Sequence, residues 1–217
     1  MKTVALIPIR AGSKGIPGKN MKEMCGKPLW YWVAEAALNA ESIDEVWVST
    51  DYEKIDVAPY DAVNFFARPA WLATDTASTE DVMRHFLWDT CEPGDRIVLL
   101  QATSPLTTCR DVDAAVEIMA AHDSVMSVVS CPKAFYWNED GTPANYGTRQ
   151  RPLRHDIKPL FQENGAVYVG NAGRIMSGAP RVYGDVGLKV MPEDTKYEID
   201  TPEDWDIVEK LLEARLS

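Results

Sequence analysis

The sequence predicts an α/β fold, a mostly parallel sheet with helices on both faces. Two observations carry that expectation. Apolar, β-rich runs alternate with helically spaced segments along most of the chain, the signature of successive βαβ units. Runs such as Ile97–Leu100 are apolar at every position, as strands buried on both faces of a sheet must be. The 217 residues are enough for a single domain, read as 1–217, with a sizeable core.

In chain order, Thr3–Ile9 reads as the first strand; it stops at Arg10 and enters a Gly/Lys-rich loop instead of continuing as a leader peptide. Pro28–Ala40 has helical spacing and Glu45–Ser49 is a second strand. Ala62–Phe66 reads as a short strand. Ser78–Cys91 is a helix, with Ser78 as its N-cap and acids in its first turn. Arg96–Gln101 is a third long strand, Cys109–Ala121 an amphipathic helix and Val125–Ser130 another strand. The pattern then breaks over Cys131–Glu163, which carries four prolines and the aromatics Phe135, Tyr136, Trp137 and Tyr146. Long irregular insertions of this kind serve as lids, binding loops or interfaces. Ala166–Val169 resumes the sheet and Glu203–Leu216 is a final helix, with Thr201 as N-cap and Pro202 at its first position.

Hydrophobic residues at 46% and charged residues at 25% exclude disordered and fibrous classes. A net charge of -11 argues against coating nucleic acid or anionic membrane, and no apolar run approaches the roughly 18 residues of a membrane helix. Cys25, Cys91, Cys109 and Cys131 are scattered without a C-x-x-C pair, which points to a reducing, cytoplasmic setting and away from zinc. His85 and His122 lie in predicted helices, and no Ser/His/Asp or Cys/His set suggests covalent catalysis.

Ligands of parallel sheets bind at the carboxyl ends of strands, and the loop after the first strand is the most unusual in the chain. Arg10–Lys27 holds five cations, one acid and four glycines, a local +4 within a body of -15. Glycines let backbone N–H groups approach a ligand, and Arg and Lys add charge-assisted bonds. The chemistry is that of a phosphate cradle. Five residues, not four, separate Gly12 from Gly18-Lys19, and Asn20 stands where a P-loop has Ser or Thr, so this is not a P-loop; nor is there a G-x-G-x-x-G.

The string IPIRAGSKGIPGKN closely resembles the signature of the cytidylyltransferases that activate sialic acids and related nonulosonic acids. The resemblance continues in family order through VSTD at Val48–Asp51, RPAWLATDTAST at Arg68–Thr79, LLQATSPLT at Leu99–Thr107, ENGAVYV at Glu163–Val169 and YEIDTPEDW at Tyr197–Trp205. It implies a nucleotide-diphospho-sugar transferase-like, Rossmann-type mixed sheet flanked by helices, with a small dimerisation and sugar-binding insertion at about 131–163. The implied activity is transfer of CMP from CTP to the anomeric hydroxyl of a sugar acid. Another 2-keto acid, such as 3-deoxy-manno-octulosonate, is the alternative acceptor, and a catalytically silent nucleotide-binding protein is the alternative of a different class.

By this resemblance Arg10, Lys19 and Asn20 hold the triphosphate, with Ser13 and Lys14 beside them, and Ala11 and Gly12 admit the cytosine ring. Ser78 contacts the nucleotide, caps its helix, or does both. Gln101 and Ser104 meet the sugar acid, together with Asn164 and Tyr168, although a tyrosine buried in a strand is an equal reading of the last. Arg154, ten residues before Asn164, resembles the arginine that reaches the sugar acid from the neighbouring subunit of a homodimer; Arg149 and Arg151 read as surface charges. The sequence departs from the family in having Ala102 and Thr107 where Pro and Arg are usual, and Lys133-Ala134-Phe135 where a His-Pro is common. Glu198 and Asp200 stand two apart, so in an extended segment both carboxylates face one side. With phosphate oxygens and waters they suit Mg2+ (or Mn2+). The family commonly has Asp at both positions, so the longer Glu198 implies coordination through water.

Overall fold

The computed structural model describes residues 1–52, 62–131, 135–147, 152–153, 156 and 160–217. At its centre lies β1 (Thr3–Pro8), with Val4 to Ile7 wholly inaccessible to solvent. A two-stranded hairpin follows, β2 (Glu23–Met24) and β3 (Lys27–Pro28), and leads directly into α1 (Leu29–Leu38). Then come β4 (Glu45–Thr50), β5 (Asn64–Ala67), α2 (Thr79–Thr90), β6 (Arg96–Leu100), α3 (Cys109–Ile118) and β7 (Ser124–Cys131). The chain closes with β8 (Leu160–Asn171), α4 (Ala172–Met176), β9 (Val186–Met191) and α5 (Pro202–Leu216).

Seven strands form one sheet in the order β5-β4-β1-β6-β8-β7-β9. All run parallel except β8, which is antiparallel to both β6 and β7. Alternation along β1 divides the core between the two faces. Ala5 and Ile7 point to the layer containing Trp30, Val33, Val112 and Ala115 of α1 and α3; Val4 and Leu6 point to Met83, Phe86 and Ile175 of α2 and α4. Trp30 is completely buried, its ring edge-on to Phe65 at 5.9 Å. A third cluster fixes α5: Trp205, Val208 and Leu212 pack on Met24, Leu29, Trp32, Leu106 and Ile199.

The three long helices following loops begin with the same device. Ser78, Thr108 and Thr201 each accept a hydrogen bond from the backbone N–H three residues on, at Asp81, Asp111 and Asp204. At Thr108 and Thr201 the aspartate answers by accepting from the cap's own N–H, a complete capping box. Pro202 at the first position of α5 has no N–H to leave unpaired.

The structure differs from the sequence reading in the second half of the chain. The strand read at Ala166–Val169 begins at Leu160, because Leu160–Glu163 pairs with Val128–Cys131 beyond the edge of the main sheet. β9 and α4 were not expected. Thr107 is buried and ties its own turn by donating to the Ser104 carbonyl at 2.8 Å.

Candidate nucleotide and sugar-acid site

The carboxyl ends of β1, β5 and β6 open onto one cleft of about 380 Å³, walled by Arg10, Ser13, Lys14, Lys19, Asn20, Arg68, Asp75, Ser78, Gln101, Thr103 and Asp200 among others. Neighbouring strand ends hold the walls in register. The Ala11 N–H donates to the Asp51 carboxylate at 2.9 Å, and buried Asn20 folds the basic loop back on itself by donating to the Arg10 carbonyl at 3.1 Å. Asn20 therefore shapes the cradle as well as lining it. Gly12 borders a side recess with Ala73, Thr74 and Asp75 rather than the main cleft.

The basic loop reaches across to the segment before α5. Gly15 lies so close that a Cβ there would collide with the Asp200 carbonyl oxygen. Lys19, only 12% exposed, donates to the Ile199 carbonyl and lies 3.2 Å from Asp200 Oδ1. Ile199 is wholly buried, whereas Glu198 and Asp200 on either side of it are exposed, the alternation expected for an extended segment. Thr103 donates to Glu198 at 3.2 Å, and the Ile199 N–H to the Thr103 carbonyl at 3.1 Å, so the loop after β6 is stitched to the same segment. The carboxyl end of Glu198 packs against Gly165, whose φ of 66° no β-branched side chain would accept. That packing raises the Glu198 pKa, and the neighbouring Asp200 charge raises it further. Two acids crowded in this way suit a divalent cation. No group of three metal-ligating side chains occurs among the described residues, so such an ion would draw its remaining ligands from substrate and water.

Sequence reasoning missed two side chains of this cleft. Arg68 follows β5 and is 92% buried (8% exposed), donating to the Ser49 carbonyl at 2.7 Å and the Ser49 hydroxyl at 3.3 Å. Burial pulls its pKa down to about 10; Asp51 opposes the shift and Arg10 adds to it. Its signal was position, since it lies at the end of a parallel strand. Asp75 bridges the basic loop, with Oδ1 at 2.9 Å from Arg10 and Oδ2 at 2.7 Å from Lys14.

The residues expected to meet a sugar acid are less well gathered. Gln101 stands in the cleft wall. Ser104 and Asn164 are buried, 4% and 3% exposed, and do not line the cleft; Ser104 Oγ and Asn164 Oδ1 have no hydrogen-bond partner among the described residues. Asn164 Nδ2 donates to Thr195 Oγ1 at 3.0 Å. Tyr168 is a core residue in the α2 layer, its hydroxyl donating to Glu163 and its ring 4.9 Å from the Arg181 guanidinium. Ser78 is the helix cap and a cleft residue at once. Arg154, Arg149 and Arg151 lie outside the described residues.

Residues 4–216 match the family profile described as cytidylyltransferase. The chain is 34% identical over 216 residues to an N-acylneuraminate cytidylyltransferase B of Danio rerio, covering 95% of this chain and 50% of that protein. It thus spans about half the length of that relative. A CMP-N,N'-diacetyllegionaminic acid synthase of Legionella pneumophila is 33% identical over 230 residues, covering 98% of this chain and 97% of the relative. Among solved structures, a CMP:2-keto-3-deoxy-manno-octonic acid synthetase in complex with CTP superposes with a TM-score of 0.73 at 20% identity, over 99% of this chain and 100% of that one; at that identity it speaks for the fold alone. With the profile spanning nearly every residue and the cleft built from its loops, the chain belongs to the cytidylyltransferase family.

Proposed function

We propose that the chain transfers CMP from CTP to the anomeric hydroxyl of a sialic-acid-like nonulosonic acid, releasing pyrophosphate. The observation that carries this reading is the single cleft in which Arg10, Lys14, Lys19 and Arg68 face the Asp200 segment. The names of the relatives, which act on N-acylneuraminate and on a legionaminic acid, support the acceptor class. The sugar hydroxyl gives up its proton to solvent as its oxygen attacks the α-phosphorus; a new P–O bond forms, the bond to the β-phosphate oxygen breaks, and that oxygen leaves with pyrophosphate. Arg10, Lys14 and Lys19 offset the charge that gathers on the departing pyrophosphate. Lys19 arrives already oriented, because the Ile199 carbonyl and Asp200 fix its ammonium. The Ala11 backbone and Ser78 border the place of the base, with Gly12 on the recess beside it, and Gln101 borders that of the acceptor. Magnesium or manganese, held by Asp200 and by Glu198 directly or through water, would polarise phosphate oxygens and lower the pKa of the attacking hydroxyl.

Arg154 completes the acceptor side from a second copy of the chain, which makes the working unit a homodimer. Exposed Tyr136, Trp137, Leu160 and Phe161, on and beside the 131–163 insertion, offer the apolar surface. No helix among the described residues is long and apolar enough to cross a membrane, and the four cysteines are free; we place the enzyme in the cytoplasm, supplying CMP-activated sugar acid for glycan biosynthesis. Pyrophosphate release with each of four NTPs against sialic, legionaminic, pseudaminic and 3-deoxy-manno-octulosonic acids tests the proposal. Turnover confined to CTP with a nine-carbon acid supports it. Preference for the octulosonic acid would move the acceptor class, and CTP binding without turnover on any acid would refute catalysis.

A further inference from the structure

Three cations of the basic loop are paired with carboxylates of the chain itself. Lys19 has Asp200, while Arg10 and Lys14 share one carboxylate, Asp75, which uses both oxygens to hold them at 2.9 and 2.7 Å. Asp75 comes from a different loop, between the Ala70–Leu72 turn and α2, and lines both the main cleft and the side recess next to it. A carboxylate accepting from an arginine and a lysine makes the same charge-assisted bonds that two phosphate oxygens would make.

We infer that Asp75 is a built-in competitor for the phosphate subsite, a latch that phosphate oxygens must displace to reach Arg10 and Lys14. The inference rests on reading the cleft as a nucleotide site. With the latch closed, the Asp75 charge sits against Arg10 and Lys14 and offsets one of their two positive charges at the subsite, so a weakly charged anion gains little by entering. A triphosphate or pyrophosphate offers several charged oxygens in a row and outbids a single carboxylate. Asp75 thereby sets a charge threshold on what the cradle accepts. The contacts suit a latch that opens easily: the side chains of Arg10, Asp75 and Lys14 are 32%, 46% and 80% exposed, so solvent weakens both pairs, the Lys14 pair most. A latch closed for most of the time raises the apparent Kd of any ligand needing it open by the reciprocal of the open fraction, here about three- to tenfold.

The test is calorimetric titration of Asp75→Asn, Asp75→Glu and the native protein with pyrophosphate, CTP and cytidine, without added divalent cation. The Asn variant should bind pyrophosphate and CTP about three- to tenfold more tightly and cytidine, which has no phosphate, as before. The Glu variant should return towards native affinity. In turnover, KM for CTP should fall and inhibition by pyrophosphate should strengthen in the Asn variant. Unchanged or weaker phosphate binding by Asp75→Asn, with native CTP binding intact, overturns the latch alone. If the native protein binds neither CTP nor pyrophosphate, the nucleotide reading of the cleft falls and the latch falls with it.

Discussion

The half of the cleft assigned to the nucleotide and the half assigned to the sugar acid are built in opposite ways. Arg10, Arg68 and Gln101 stand at the ends of parallel strands and line one opening, with Asp51 behind them holding the Ala11 N–H. Asn164 and Tyr168 belong to the antiparallel β8, which carries them back into the sheet and its packing layers. Parallel strands end together, so one chain brings several loops to the same edge. An antiparallel strand starts at that edge and offers it few side chains. An acceptor side completed by the 131–163 insertion and by a second copy, as proposed above, would answer this difference.

Substitutions can separate the halves. The largest effect is expected from Asp200→Asn, which should lower pyrophosphate release at least about 100-fold while far-UV circular dichroism stays native, since Asp200 is exposed. Near-native turnover would remove Asp200 from the machinery. Next, Arg68→Lys keeps a charge but loses the planar fork that caps Ser49, and KM for CTP should rise about tenfold with the acceptor KM within about twofold. An equal rise in both would erase the division between halves.

On the acceptor side the effects should fall on stability. Asn164→Ala removes a donor shared by buried groups around Thr195, and urea denaturation should show a loss of about 1–3 kcal/mol. Tyr168→Phe removes the hydroxyl that donates to Glu163 and also meets Arg181, and should cost about 0.5–1.5 kcal/mol with the acceptor KM nearly unmoved. A large rise in that KM instead would mean that the sugar acid reaches Tyr168. The smallest expected change concerns Glu198. Its raised pKa means that the folded chain binds more protons than the unfolded chain between the ordinary carboxylate pKa and the shifted one, so stability falls as pH rises through that interval. Metal-free Glu198→Gln should therefore melt slightly above the native protein at pH 8, and the gap should close below about pH 4. A gap that persists at low pH would show that packing, not charge, is responsible.

Much of the nucleotide half was legible in the sequence because its signals are local. The charge and glycine content of Arg10–Lys27, the apolar strand before it, and the caps at Ser78 and Thr201 each sit within a few residues of what they control. Arg68 was not legible, because its role depends on a carbonyl at Ser49 presented by the neighbouring strand. The same holds for Asp75, whose partners are more than 60 residues earlier in the chain. β9 hid behind its own composition: Gly187 and Lys189 interrupt the apolar run, and the alternating apolar residues Leu188 and Val190 are exposed, at the edge of the sheet. The start of β8 lies inside the irregular insertion, where exposed Leu160 and Phe161 are followed by the polar Gln162 and Glu163, and it is drawn into the sheet by pairing with β7.

The contact between Lys19 and Asp200 joins residues 181 positions apart. Closing so large a loop is slow and is rewarded only once the intervening sheet exists to hold its ends. A nascent chain translated only as far as β8 thus carries the basic cradle but not the carboxylate that pairs with Lys19, and α5 has yet to clamp Ile199 in place. Binding competence should therefore be the final event of folding and the first property lost on partial unfolding. Loss of CTP binding during mild denaturation should precede loss of the sheet, so nucleotide affinity serves as a clock for the docking of α5.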